Sequence, residues 1–175
     1  MSIEQPEYSV ERSAGGVEFR RYESYQVAEC DLREVNDISQ ASSAGFRYLF
    51  NYISGDNQPG QKVSMTSPVQ QMPSENGWRV SFVVPREFYK TGAPVPSNAR
   101  VSIREVPAGL VAALRYKGFW GTDTFNQHKA QLLKKLAEQG VQIEGDVFSA
   151  LYNPPFTPPF LRRNEVLVRV KEAAS

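Results

Sequence analysis

Short runs in which hydrophobic and polar residues alternate dominate the first half of the chain. Val17 to Tyr22 and Tyr25 to Cys30 alternate in this way on either side of a two-residue turn, which predicts two antiparallel strands. Ser64 to Gln71 and Trp78 to Val84 predict two further strands, joined by a turn at residues 73–77 that is rich in proline, glycine and polar side chains.

Between the two strand pairs the hydrophobic period lengthens to that of a helix. Asn36 or Asp37 can cap its first turn, and the pattern continues to Ser54, after which a glycine ends it. The apolar arc spans roughly 200°, wider than the stripe of about 100° that a surface helix needs to pack on a core. Apolar surface is therefore left over on one flank, at Phe46 and Phe50. These rings either pack beneath a loop or form a ligand surface.

The same order of elements restarts after a linker at residues 91–98. Val101 to Arg104 matches Val17 to Arg20 at an offset of 84 residues. The later elements follow at similar offsets: a strand from Leu110 to Tyr116, a helix from Thr122 or Asp123 to Gly140, and strands from Phe148 to Tyr152 and from Glu165 to Val170.

This repetition predicts one α+β domain over residues 1–175. Duplicated ββαββ units, at about 8–85 and 98–171, would form a curved antiparallel β-sheet, close to a distorted β-barrel, that carries two helices. Each unit has one apolar sheet face and one apolar helix stripe, so joining two units buries both in one core.

Composition and charge narrow the classes of partner. Twenty basic and nineteen acidic residues leave a net charge of +1, and this balance argues against nucleic acid as a partner. Cys30 is the sole cysteine, which excludes an internal disulfide and a multi-cysteine metal site. Because neither a secretory signal nor a run of eighteen apolar residues is present, we expect no transmembrane segment and a cytoplasmic location.

Candidate chemistry is sparse along the chain. The sequence has no Walker-type phosphate loop, no His-Glu-x-x-His and no Gly-x-Ser-x-Gly motif, which argues against an enzyme without excluding one. His128, the sole histidine, falls at the edge of the second helix's apolar stripe. It is either a boundary residue without a ligand, an axial metal or haem ligand, or an acid–base group.

A proline-rich loop precedes the last predicted strand. Four prolines stiffen residues 153–161, so Phe156, Phe160 and Leu161 either stand out as an apolar lip or fold back on the core. Glu165 follows two arginines. It is either paired with Arg162 or Arg163 or serves as a buried catalytic or cation-binding carboxylate.

Three separated motifs carry a resemblance to a known family. They are the run from Phe46 to Asn57, the segment from Lys62 to Val69, and the pair Tyr152 to Phe156 and Arg162 to Val166. Together they resemble the SOUL haem-binding protein family over about Tyr8 to Val170. The resemblance implies a duplicated fold and reversible, non-covalent binding of haem or another tetrapyrrole, as an intracellular carrier, buffer or sensor. The partner is then a small hydrophobic ligand, and no protein partner is implied by a motif here.

The resemblance also implies a site on one flank of the first helix, at Ser43, Phe46, Phe50 and Asn51, and on the loop before the last strand. The cofactor-binding candidates are Phe46, Arg47, Phe50, Asn51, Phe156, Phe160 and Leu161. The propionates of haem need a cation, for which the candidates are Arg47, Lys62, Arg162 and Arg163. Some members of the family are proposed to ligate iron through a histidine at the position of Arg21, and arginine cannot do so. The axial ligand is therefore unassigned, with His128 as a weak candidate.

The implied fold is also similar to the effector-binding domains of bacterial multidrug regulators and their hydrolase relatives. In those proteins an inward carboxylate meets the ligand, and Glu165 is the nearest counterpart here. The alternative function is therefore that of a small-molecule-binding or hydrolase-like protein, with Glu165 as its weak catalytic candidate.

Overall fold

The computed structural model describes residues 3–33, 35–75, 77–154 and 156–172. Within these ranges the chain forms two α-helices and eleven strands. In chain order they are β1 (Tyr8–Ala14), β2 (Val17–Tyr22), β3 (Tyr25–Arg33), α1 (Ile38–Ile53), β4 (Asn57–Gln58), β5 (Val69–Ser74), β6 (Gly77–Val83), β7 (Val95–Pro96), β8 (Val101–Val106), β9 (Gly109–Tyr116), α2 (Thr122–Glu138), β10 (Ile143–Leu151) and β11 (Asn164–Val170).

Nine of these strands form one antiparallel sheet in the order β1-β2-β9-β11-β10-β5-β6-β3-β8. Among the described residues β1 and β8 are its two edges, so the sheet does not close into a barrel. A second, two-stranded sheet pairs β4 with β7.

Two short connections show how strongly the large sheet curves. β2 is the second strand of the sheet and β3 the eighth, yet only Glu23 and Ser24 join them. β9 is the third strand and β8 the ninth, and only Pro107 and Ala108 join them. The sheet must therefore curl until its two sides meet at these turns. The prediction of an α+β fold with a curved antiparallel sheet and two helices is confirmed.

The strand order is symmetric about its centre, between β10 and β5. From this point outward, one side of the sheet continues with β11, β9 and β2, and the other side continues with β6, β3 and β8. β11 corresponds to β6, β9 to β3 and β2 to β8 in the two predicted units. The helices meet near the same centre, because the Ile38 amide donates to the Thr122 hydroxyl at 3.0 Å. These two residues are 84 apart, the offset seen in the sequence. The boundaries of the two units stay a prediction.

Both helices pack on one face of the large sheet, α1 over β3 and β6 and α2 over β9 and β11. Asp37 caps α1, since its carboxylate accepts hydrogen bonds from the amides of Ser39 and Gln40 at 2.8 and 3.0 Å. Gly45 lets α1 approach closely, because a Cβ atom there would lie 2.8 Å from Cβ of Val80. Neither described helix is long and apolar enough to cross a membrane.

The large sheet separates two hydrophobic cores. Along β11, Val166 and Val168 point to the helices and join the main core. Leu167 points to the opposite, inner face, where a smaller core includes Tyr22 and Phe148. Glu165 lies on this inner face as well, since side chains alternate along a strand.

Several predicted boundaries were wrong. The strand predicted from Ser64 begins only at Val69, because Pro68 has no amide hydrogen for a ladder and Thr66 instead donates its hydroxyl to the Val83 carbonyl at 2.5 Å. The predicted turn at 73–77 still belongs to β5 up to Ser74. The linker at 91–98 contains β7, and β1 was not predicted. β10 begins five residues before Phe148 and passes an irregularity that includes Gly145, whose φ is +86°.

The α1 flank and the proline-rich loop as a candidate functional site

One flank of α1 carries an exposed pair of aromatic rings. Phe46 and Phe50 are 41% and 49% exposed, and their ring centroids lie 6.0 Å apart in a stacked arrangement. Residues four apart share a helix face, so α1 holds the two rings side by side. The flank therefore presents apolar surface that the protein core does not use. Asn51 and Ser43 are also exposed on this side of the helix.

A hydrogen bond shows which way the flank faces. The side-chain amide of Gln71 on β5 donates to the hydroxyl of Ser42, one helical turn before Phe46. Gln71 in turn accepts a hydrogen bond from Ser149 on β10 at 2.6 Å. Ser42 and Phe46 are four residues apart and share one side of α1. That side of the helix therefore faces the centre of the sheet, where β5 meets β10.

The loop between β10 and β11 presents the second set of apolar side chains. Phe156, Phe160 and Leu161 are 87%, 70% and 58% exposed, as the interpretation of this loop as an apolar lip requires. A turn with the Leu161 amide donating to the Pro158 carbonyl at 2.9 Å supports the loop from within.

The sequence prediction missed Phe119, which is 72% exposed on the loop before α2. Gly118 donates its amide to the Pro159 carbonyl at 3.0 Å, so the two loops are neighbours. Trp120 lies beside them, with the guanidinium of Arg162 4.1 Å from its ring centroid. The sequence shows an aromatic residue between Gly118 and Trp120, which could have marked Phe119 as a candidate. Its exposure could not be predicted, because it depends on the hydrogen bond that holds this loop to the proline-rich loop.

The flank and the loop lie at the same end of the sheet. Just before α1 the Asn36 carbonyl accepts a hydrogen bond from the Trp78 indole at 3.1 Å, so α1 starts at the first residues of β6 and runs toward its last. There, Phe82 of β6 pairs with Val69, and Val69 pairs with Leu151, the last residue of β10. The proline-rich loop begins from that residue.

The four candidate cations occupy different positions. Arg47 is exposed beside Phe46 on α1, and Lys62 is exposed just after the helix, where the Val63 amide donates to Ile53. Arg162 donates to the Thr157 carbonyl at 2.9 Å within its own loop. Arg163 instead turns inward to Glu165, so it does not face the apolar lip.

Arg21 is engaged in ion pairs at the β1 edge of the sheet. Its guanidinium pairs with Glu11, Nε to Oε1 at 2.8 Å, and with Glu172 at the β1 edge of the sheet. The position at which the family is proposed to hold a histidine is thus occupied by an arginine that two carboxylates already bind.

His128 lies on α2, partly buried, as the stripe predicted. Its ring stacks on Tyr116 with centroids 3.8 Å apart, and Nδ1 lies 3.1 Å from Oε1 of Gln131. The residues that the structure describes hold no group of three or more His, Cys, Asp or Glu side chains placed to bind a metal.

Glu165 is buried on the inner face of the sheet and bound by arginines. Arg20 donates to both carboxylate oxygens, at 2.8 and 2.7 Å, and the exposed fractions of the two residues are 1% and 0%. Arg163 and Arg115 approach Oε2 at 3.2 and 3.5 Å. Pairing with Arg163 was one of the two interpretations, whereas the main partner, Arg20, was not predicted because it lies 145 residues away.

These contacts determine the chemistry of Glu165. Burial acts to raise its pKa, but the hydrogen bonds and positive charge of Arg20, with the charge of Arg163, outweigh burial and hold the pKa below its ordinary value. A carboxylate with so low a proton affinity is a poor general base. Glu165 also lies on the sheet face opposite to α1, so it is no part of the flank-and-loop surface.

The sequence is similar to that of a known protein family over nearly its whole length. The profile described as SOUL heme-binding protein matches residues 3–169. The chain is 26% identical over 164 residues to heme-binding protein 1 of Xenopus laevis, covering 89% of this chain and 84% of that protein. It is 26% identical over 189 residues to heme-binding protein 2 of Mus musculus, covering 99% and 89%.

Solved structures show the fold at lower identity. The EcmrR C-terminal domain aligns with a TM-score of 0.69 at 12% identity, covering 95% of this chain and 99% of that one. A hydrolase from Listeria innocua aligns with a TM-score of 0.58 at 9% identity, covering 92% and 94%. At these identities the similarity concerns the fold alone.

Proposed function

Because the chain belongs to the SOUL heme-binding protein family, we propose that it binds haem or a related tetrapyrrole reversibly and non-covalently, as a carrier, buffer or sensor in the cytoplasm. The observation that supports this function is the exposure of aromatic rings on α1 and on the proline-rich loop at the same end of the sheet. The relatives named for haem binding point to the same ligand.

The exposed rings suit a flat macrocycle. Phe46 and Phe50 stack along the helix, and Phe156 and Phe160 extend from a loop whose prolines limit the entropy that ordering would cost. Flat aromatic faces bury a porphyrin ring with little rearrangement, and burial contributes about 25 cal/mol for each Å² of apolar surface removed from water. We expect the macrocycle to rest between the flank and the loop.

The charged groups of haem have partners near this surface. Arg47 and Lys62 are exposed at α1 and can face the propionates, while Asn51 offers an amide on the same side. Bound haem would supply redox-active iron. Since Arg21 cannot ligate iron and is paired with Glu11, we expect stacking and apolar burial, rather than an iron bond to the protein, to supply most of the affinity.

Hydrolysis is a poorer explanation of the structure. The inward carboxylate of Glu165 is held ionised by Arg20 and Arg163, and a general base needs a proton affinity close to the working pH. We therefore expect no turnover of simple esters or lactones, and we assign Glu165 to the stability of the inner face.

A hemin titration followed by the Soret band tests the proposed function. Replacing Phe50 by Asp places a charge against the macrocycle and should weaken hemin binding by about tenfold or more. Val10→Asp is the matched control, because Val10 is also 49% exposed but lies on the edge strand β1. Circular dichroism establishes that both variants are folded. Equal hemin affinity in the two variants would contradict the placement, and a parent that binds neither hemin nor protoporphyrin would contradict the function.

A further inference from the structure

The inner face of the sheet holds a cleft that the haem proposal does not use. Its volume is about 280 Å³. Aromatic and aliphatic side chains from five strands and one loop form its walls, and we call it the tyrosine cleft: Tyr22, Tyr25, Met72, Phe148, Tyr152 and Leu167. The curvature of the sheet creates it, because the turn between β2 and β3 brings Tyr22 and Tyr25 together with ring centroids 6.2 Å apart.

The volume limits the size of an occupant. Pockets for drug-sized ligands measure about 300–1,000 Å³, so the tyrosine cleft is at the small end of the range. One or two fused rings fit this volume, whereas a porphyrin is too large. The walls are mainly aromatic, which favours a flat ring that can stack on Tyr22, Tyr25 or Phe148.

The buried charges near the cleft are already compensated. Tyr22 accepts a hydrogen bond from Arg20 at 3.1 Å, and Tyr152 lies under the guanidinium of Arg163 at 3.9 Å. These two rings therefore stand between the cleft and the arginine–glutamate network. Arg20, Arg115 and Arg163 are each paired with Glu165, and Arg20 is also paired with Glu18, so these charges are engaged with one another behind the two rings.

The lining of the cleft has equal numbers of positive and negative side chains. It carries two guanidinium groups and two carboxylates, those of Arg104, Arg169, Glu144 and Asp146. Arg104 is bound to Glu29 at 2.9 Å, and Arg169 donates to the carbonyl oxygens of Pro107 and Ala108. A neutral ligand matches this balance better than an ion of either sign.

One polar group inside the cleft can orient a ligand. The Tyr25 hydroxyl accepts a hydrogen bond from the Gln70 side chain at 3.1 Å, and Gln70 accepts one from Ser81 at 3.4 Å. The hydroxyl hydrogen of Tyr25 is paired with no acceptor among the described residues. Since burial raises the pKa of Tyr25, the phenol stays protonated and can donate at neutral pH.

We propose that the tyrosine cleft is a second binding site, separate from the α1 flank, for a small neutral aromatic molecule whose carbonyl group accepts a hydrogen bond from Tyr25. The ring of the ligand stacks among the tyrosines. Its carbonyl oxygen replaces water as the acceptor of the Tyr25 hydroxyl.

Prodan, a neutral naphthalene that carries a ketone and fluoresces differently in apolar surroundings, is a suitable probe. The parent protein should give saturable Prodan binding. Tyr25→Phe should weaken it by about tenfold, the usual effect of one lost hydrogen bond, and shift the bound emission to shorter wavelength. Val106→Trp, which fills the cleft from its half-buried edge, should abolish it.

The controls separate this site from the exposed lip. Phe160→Asp should leave Prodan binding unchanged, and the cation tetraphenylphosphonium and the anion anilinonaphthalene sulfonate should bind more weakly than Prodan. Loss of Prodan binding in Phe160→Asp, equal affinity in Tyr25→Phe and the parent, or absence of saturable binding to the parent would each overturn the assignment. Tyr25→Phe keeps the ring and its packing, so the test does not depend on whether Val106→Trp folds.

Discussion

Arg20 and Glu165 form a two-pronged ion pair across the inner face of the sheet, with N–O distances of 2.8 and 2.7 Å. Their strands, β2 and β11, do not pair with each other. β9 lies between their strands, β2 and β11, so the pair links three adjacent strands. The guanidinium of Arg20 belongs to the first predicted unit, and the carboxylate of Glu165 belongs to the second. The pair therefore holds the two halves of the chain together.

We predict that removing either partner is costly. Arg20→Gln or Glu165→Gln leaves the other charge buried and uncompensated, which should lower the free energy of unfolding by about 3–5 kcal/mol in urea denaturation. Arg21→Gln is the matched control, since the adjacent arginine pairs with Glu11 at an exposed position and should matter much less. Similar losses in Arg20→Gln and Arg21→Gln would show that the buried pair has no special weight.

The same pair predicts how stability responds to acid. The folded-state pKa of Glu165 lies below its ordinary value of 4.5, because Arg20 outweighs the effect of burial. The unfolded state then binds this proton first, so the stabilisation is fully present above about pH 4.5 and is lost as the pH falls toward the folded pKa. Urea midpoints measured between pH 7 and pH 3 should drop more steeply for the parent than for Glu165→Gln. Parallel curves would argue against the lowered pKa.

Local patterns in the sequence predicted the elements but not their partners. Asp37 could be recognised as the cap of α1 because the capping hydrogen bonds span only two and three residues. The width of the apolar arc, a property of one helix, predicted leftover apolar surface at Phe46 and Phe50 but left open whether a loop covers the two rings. Such features depend on neighbours along the chain, and a single sequence contains that information.

Features that depend on sheet curvature were out of reach. The cleft forms because Tyr22 and Tyr152, from different halves of the chain, meet on the inner face. The pairing of Glu165 with Arg20 spans 145 residues, and nearby Arg162 and Arg163 offered closer partners in sequence. The alternation of β2 assigns Arg20 to a face, but only the sheet order brings that face to β11.

We predict that Gly45→Ala destabilises the fold. The added Cβ would lie 2.8 Å from the Cβ of Val80 and 3.1 Å from Cδ1 of Leu32, so α1 would have to move away from the sheet. Overpacking of this kind costs about 1–3 kcal/mol, despite the better helix propensity of alanine. Thermal and urea unfolding measure the change, with Ser43→Ala on the exposed side of α1 as the control. A Gly45→Ala protein as stable as the Ser43→Ala protein would mean that the contact relaxes freely.

We predict that His128→Ala leaves the Soret band of a hemin complex unchanged. The His128 ring is stacked on Tyr116 and its Nδ1 lies beside Gln131, and α2 packs on β9 and β11 rather than beside the α1 flank. The absorption spectrum of the complex provides the measurement. A low-spin, six-coordinate spectrum in the parent that collapses in His128→Ala would identify His128 as the iron ligand.

We predict that Phe119 belongs to the haem-binding surface although no motif marks it. Its loop is hydrogen-bonded to the proline-rich loop, with the Gly118 amide donating to the Pro159 carbonyl, and its ring is 72% exposed. Phe119→Ser removes an apolar face without adding charge, so hemin affinity should fall by several fold, less than for Phe50→Asp. Ile143→Ser is the control, because Ile143 is exposed at the start of β10, at the end opposite to the loop. If the two serine variants bind hemin alike, the macrocycle rests on α1 and the proline-rich loop without reaching the loop that precedes α2.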